Sequence, residues 1–124
     1  MSSLVLKAYW NLISFDLYLA RRDFSALYDR VRSHPLNQTA QKPYPTEQIC
    51  RAADTASIWY WKEVLCLQRS AATVCLLKDY GVPAEMVIGT QLMPVKLHAW
   101  VEVNGRVVND KGYMREMYTV LDRC

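Results

Sequence analysis

An α+β fold, with helices first and a small antiparallel sheet after, is what this sequence predicts. Three observations carry that expectation. Up to about Tyr80 the apolar residues recur at helical spacing, and beyond Pro83 they alternate as in strands. An Asn-Gly pair at 104–105 separates two alternating runs, which signals a hairpin. Pro35, Pro45, Gly81 and Pro83 fall where segments should end. With 124 residues, of which 52% are apolar, the chain can bury a substantial core. A single domain over 1–124 is expected, with a helical part at 1–61 and a further helix plus the sheet at 62–124.

In chain order, residues 4–20 predict a first helix, with Leu6, Trp10, Ile13 and Leu17 at helical spacing. Tyr9, Leu12, Phe15 and Leu19 are apolar as well, so the apolar face is wide, as in a helix that is deeply buried or meets a partner. Residues 23–33 predict a more polar helix, with Asp23 as its cap and His34-Pro35 as its stop. The Pro-rich stretch 34–45 reads as a loop long enough to be a candidate substrate-facing segment. A third helix starts at Thr46 and runs to about Trp61, with Ile49, Ala52, Ala53, Ala56 and Tyr60 as its stripe. The cluster Trp59-Tyr60-Trp61 is expected in the core, with a cleft wall as the alternative. A fourth helix runs from near Cys66 to Tyr80 and is capped by Gly81. Strands follow near 84–89, 97–103 and 106–110, and a last one near 118–121.

Composition excludes several functions. A net charge of +3 with no basic run longer than Arg21-Arg22 leaves no footprint for nucleic acid. The apolar stretch 4–19 is interrupted by Lys7, Asn11 and Asp16 and is too short for a membrane span. It also lacks the marks of a signal peptide. Four cysteines without a CxxC pair, and only two histidines, support neither a disulfide framework nor a zinc site. No cofactor or metal is expected, and reduced thiols suit a cytoplasmic protein.

The chemistry gathers between Cys66 and Asp110. Cys66 opens a helix, where outward N–H groups and the positive dipole end favour a thiolate and could hold an oxyanion. Cys75 lies about half a turn round the same helix and should face the core. Cys50 lies beside the third helix's stripe, and Cys124 is expected free and exposed. In the strand from Leu97 to Val103, His98 shares a face with Trp100 and Glu102, opposite Leu97, Ala99, Val101 and Val103. His98 therefore points away from the apolar face. A two-residue Asn-Gly turn would set Asp110 opposite Ala99, on the wrong face. A three-residue loop, Val103-Asn104-Gly105, would instead pair Glu102 with Arg106 and His98 with Asp110. That second register is the one expected here. It gives a thiol nucleophile, a base and a carboxylate that orients the base.

The segments CLQRS, LLKDYGVPAEMVIG and HAWVEVNGRVVND resemble the peptidase domain of lasso-peptide maturation B proteins, which are transglutaminase-like, papain-related cysteine peptidases. The resemblance is close over about 60–111 and loose before it. It implies Cys66 as nucleophile, His98 as base and Asp110 as its partner, while Arg69 matches a motif position without an assigned role. It also implies removal of the leader from a ribosomally made precursor peptide, with a preference for threonine just before the last leader residue. As the peptidase half of a split system, the chain would work with a separate leader-recognition protein that delivers the leader across an apolar surface. The ATP-dependent macrolactam cyclase is a further candidate partner. Papain-like enzymes place an oxyanion-donating glutamine ahead of the cysteine, but position 60 here is tyrosine. The Cys66 N–H is the expected donor, with Trp61 and Gln68 as alternatives. Acyl transfer by the same three residues, or a noncatalytic leader-binding adaptor, are the rival readings.

Overall fold

The structure is a computed structural model and describes residues 3–37, 44–92, 95–109 and 117–124. Four helices precede a four-stranded antiparallel sheet, the α+β arrangement expected: α1 (Ser3–Ala20), α2 (Phe24–Ser33), α3 (Thr46–Trp59), α4 (Cys66–Asp79), β1 (Ala84–Leu92), β2 (Val95–Val103), β3 (Arg106–Val107) and β4 (Thr119–Arg123).

Local chemistry sets most of the boundaries. Asp23 caps α2 by accepting the Ala26 N–H at 3.1 Å. At the other end His34 turns extended ahead of Pro35 and closes the helix. Gly81 takes a left-handed φ of 81° just past α4, which a residue with a Cβ adopts at a cost.

Helix α4 is the centre of the fold. Every residue from Ser70 to Leu77 is buried, and the helix packs against α1, α3 and the inner face of the sheet. Helix α1 packs on α4 and α3 and buries Leu4, Val5, Ala8, Leu12 and Phe15. This corrects the expected stripe, because Leu6, Trp10 and Leu17 are exposed and Ile13 is half-buried. Fully buried Ala8 leaves room for the neighbouring helices to approach. Ile49, Ala52, Ala53, Ala56 and Tyr60 are buried as expected, but Trp59 and Trp61 on either side of Tyr60 are exposed. The aromatic cluster is thus one core residue flanked by two surface ones.

The sheet order is β3-β2-β1-β4. Strand β1 pairs with β2 from Ala84↔Val103 to Leu92↔Val95. Strand β4 lies on the other edge of β1, with a bulge between Ile88 and Gly89. Met86 and Cys124 exchange both backbone bonds at 2.8 Å. Cys124 is therefore buried, not exposed as expected.

The β2–β3 turn also corrects the expectation. Val103 pairs with Arg106, and Glu102 with Val107. The loop has two residues, Asn104 at φ 51° and Gly105 at φ 78°. Both central residues are left-handed, as a type I′ hairpin turn requires. Glu102 therefore does not sit opposite Arg106.

Candidate active site

Cys66 is the first residue of α4, after an N-cap, Leu65, that makes no side-chain capping bond. The first-turn N–H groups of a helix have no acceptor within it, so the peptide dipoles there favour negative charge near the Cys66 sulfur. All four cysteines are free. Cys66 is half-buried and the other three are buried. Burial pushes the Cys50 thiol up to about 12, and those of Cys75 and Cys124 to about 11. Those three stay protonated near neutrality, as small hydrophobes do.

Cys66 and His98 line one cavity of about 180 Å³. Its remaining wall is apolar, built mainly from Leu67 of α4, Ile88 of β1, Leu97 of β2, and Phe24 and Tyr28 of α2. Two residues that are far apart in sequence, and that chemistry singled out, thus border one concave site. Asp110 lies outside the described residues. What leads towards it is visible. The β2–β3 ladder ends where Val108 donates to the Val101 carbonyl at 3.0 Å. Asn109 then turns its side chain in, accepting the Val101 N–H at 2.7 Å and donating to Ser70 Oγ at 3.3 Å. Ser70 Oγ donates in turn to the Ala99 carbonyl at 3.1 Å. Asn109 thus ties β2 to α4. Strand register beyond Val108 does not decide which face residue 110 takes, so the corrected turn removes the register argument for Asp110 rather than the residue itself.

The environment of His98 differs from the sequence reading. His98 was expected to point away from the apolar face of its strand, yet Trp100 and Glu102 on its own face are fully buried. Trp100 packs with Val87, Val107, Tyr118 and Val120 in a second, smaller cluster outside the sheet. The His98 ring stacks at 5.4 Å on Tyr118 and at 6.1 Å on Trp100.

Neither side-chain oxyanion candidate lines the cavity that Cys66 and His98 share. Gln68 is buried, and its Nε2 donates to the Leu12 carbonyl at 2.8 Å. Trp61 is exposed beside Lys62. Tyr60 donates its hydroxyl to Asp16 at 2.8 Å, and burial with that carboxylate raises its pKa to about 12. Arg69 pairs with Asp54 at 4.0 Å. The loop 34–45 is fastened, at the ends that are described, to the C-terminal end of α4. Asn37 bonds the carbonyls of Lys78 and Asp79, and Tyr44 packs on Tyr80. That is about 20 Å along the helix from Cys66, so these ends lend no support to a substrate-facing loop. Residues 38–43 lie outside the described residues.

The profile of the transglutaminase-like superfamily matches residues 9–123, from α1 through β4. The chain belongs to the transglutaminase-like superfamily. Among curated proteins, this transglutaminase-like chain is similar to the microcin J25-processing protein McjB of Escherichia coli, with 39% identity over 56 residues. That match covers 45% of this chain and 27% of the relative. No solved structure matches. Among the described residues, no cluster of His, Cys, Asp or Glu could hold a metal ion. No helix among them is long and apolar enough to cross a membrane.

The sequence reading missed Phe24 and Tyr28 as cavity walls, Tyr118 against His98, and Gly89 opposite His98 in the ladder. Gly89 had a readable signal, since a glycine inside a strand often marks a close approach of another group. The others depend on contacts far apart in sequence.

Proposed function

We propose that this chain is a cysteine peptidase that removes the leader from a ribosomally made lasso-peptide precursor, using Cys66, His98 and Asp110. The observation that carries the reading is the shared cavity of Cys66 and His98, with Cys66 at a helix start. Family membership and the likeness to a microcin J25-processing protein support it.

His98 accepts the thiol proton, and the Cys66 thiolate attacks the scissile carbonyl carbon. The oxyanion of the tetrahedral intermediate is assigned to the Cys66 N–H and its first-turn neighbours, since neither Gln68 nor Trp61 lines the cavity. The C–N bond then breaks, and His98 protonates the leaving amine. Water, deprotonated by His98, hydrolyses the thioester and restores the thiol. Asp110 holds the histidine tautomer and steadies the imidazolium. A cytoplasmic setting, a separate leader-recognition protein and the ATP-dependent cyclase as partners belong to the same reading.

Mass spectrometry of a lasso precursor incubated with the chain, with and without the recognition protein, tests this reading. A leader fragment and a free-amine core should form with the wild type and not with Cys66→Ala. Asp110→Asn should slow cleavage by on the order of 10⁴-fold. Undiminished turnover by Cys66→Ala would overturn the nucleophile. Membership of a family named for acyl transfer favours one rival, transfer to an amine in place of water. Product masses with added amine separate the two. Failure of a thiol probe to label Cys66 would favour a noncatalytic adaptor.

A further inference from the structure

We propose that Trp100 and Tyr118 form an aromatic clamp that sets the orientation of the His98 imidazole, and that buried Glu102, held by Arg123, fixes the clamp. The proposal rests on the reading of His98 as the base. It assigns Trp100, Tyr118 and Glu102 as positioning residues.

Three rings meet on the outer face of the sheet. His98 lies at 5.4 Å and 28° to Tyr118, and at 6.1 Å and 29° to Trp100. Trp100 and Tyr118 are 6.0 Å apart. A histidine base must present one ring nitrogen to the thiol and the other to its orienter. The torsion that turns the ring is broad and roughly two-fold for an unrestrained histidine. Near-parallel neighbours on that ring restrict the torsion and keep each nitrogen aimed one way.

The clamp is itself anchored. Trp100 is fully buried, and its Nε1 donates to Glu102 Oε2 at 2.8 Å, which fixes the turn of the indole. Glu102 is fully buried, and its other oxygen accepts from Arg123 Nη1 at 3.0 Å. The same nitrogen lies 2.7 Å from Glu85. A buried carboxylate on a sheet face needs a partner to be tolerated, and this one spends an oxygen on the indole beside His98. The chain Arg123–Glu102–Trp100–His98 thus joins β4 to the site across the sheet. Gly89 completes the fit. It stands opposite His98 in the ladder, and a Cβ there would lie 2.7 Å from Trp100 and 2.8 Å from Tyr118. The missing side chain is the space that the Trp100 indole and the Tyr118 Cβ occupy.

A plain hydrophobic cluster would also bury Trp100, so the test needs readouts that stability alone does not move. The His98 ring-proton resonances of the full chain would be followed by NMR in wild type, Tyr118→Leu and Tyr118→Phe, beside kcat and KM for precursor cleavage. The clamp predicts that Tyr118→Leu loses the ring-current displacement of the His98 signals. It also predicts a kcat at least tenfold lower with KM within about twofold, and recovery of both readouts in Tyr118→Phe. Trp100→Phe, with the same readouts, serves if Tyr118→Leu fails to fold, and should give a smaller change of the same kind. Unmoved His98 signals in a folded Tyr118→Leu chain would overturn the clamp. So would equal losses of kcat in the Leu and Phe variants. If no variant, wild type included, cleaves a precursor, the peptidase reading fails, and the NMR signals still decide whether the clamp exists.

Discussion

Replacing Gly89 with alanine should destabilise the fold through one identifiable collision. The added methyl would lie 2.7 Å and 2.8 Å from two indole carbons of Trp100, and 2.8 Å from the Cβ of Tyr118. None of these atoms yields easily. The indole is fully buried and tethered to Glu102, and a Cβ moves only with its backbone. Overpacking of this kind costs about 1–3 kcal/mol. For a chain of this length that corresponds to a Tm lower by roughly 4–12 °C. Thermal unfolding followed by circular dichroism reads the shift directly. A double-mutant cycle then tests its cause. Trp100→Phe removes the two indole carbons involved, so Gly89→Ala should cost less in that background than in the wild type. A Tm within a degree of wild type would refute the close approach. Costs that add to within about 0.5 kcal/mol would place the damage somewhere other than the Gly89–Trp100 contact.

Other perturbations have equally definite outcomes. Iodoacetamide at pH 8 should modify Cys66 alone in the native chain and all four cysteines after denaturation, because burial keeps the Cys50, Cys75 and Cys124 thiols protonated; peptide mass mapping reads it, and native labelling of Cys50 would contradict it. Asn109→Ala should strand the Val101 N–H, whose residue is fully buried, and cost about 1–3 kcal/mol in a urea midpoint measurement. Burial raises the Asp16 pKa, but hydrogen bonds from Lys62 and Tyr60 outweigh it, so the net shift is downward. A carboxylate lowered on folding contributes stability that is present above its unfolded pKa and is lost as pH falls through the folded one. Asp16→Asn should therefore be less stable at pH 7 by about 1.5–3 kcal/mol, and its gap from wild type should close below about pH 4; a gap independent of pH would contradict the assignment.

The parts of the fold legible in the sequence are those fixed by local chemistry. Pro35, Pro45 and Gly81 end or begin helices because of what their own backbones permit, and the observed ends fall within a residue or two of the expected ones. Cys66 and His98 stand out in the sequence for a related reason: each has a chemistry that a position at a helix start or on a strand face makes useful, and both line one cavity. What failed was set by distant contacts. Helix α1 is apolar almost all round, so periodicity could not choose between the Leu4-Ala8-Leu12 side and the Leu6-Trp10-Leu17 side. The expected hairpin register rests on a Glu102–Arg106 attraction, on matched apolar faces and on His98 lying opposite Asp110, and a cross-strand pair is worth only a few tenths of a kcal/mol to about one. Two adjacent left-handed residues, Asn104 and Gly105, form the two-residue turn instead. Glu102 takes Arg123 as its partner, from a strand that lies beyond β1 in the sheet. Cys124 is buried because Met86 pairs with its backbone, which no local pattern announces.

The central claim is covalent chemistry at Cys66, and an affinity label tests it most directly. A lasso leader peptide carrying a chloromethyl ketone at the scissile carbonyl would be incubated with the chain, and the modified residue located by peptide mass spectrometry. One equivalent of label is expected on Cys66, blocked by prior alkylation of that thiol and much slowed in His98→Ala. Label on Cys50, Cys75 or Cys124 with Cys66 left free would contradict it.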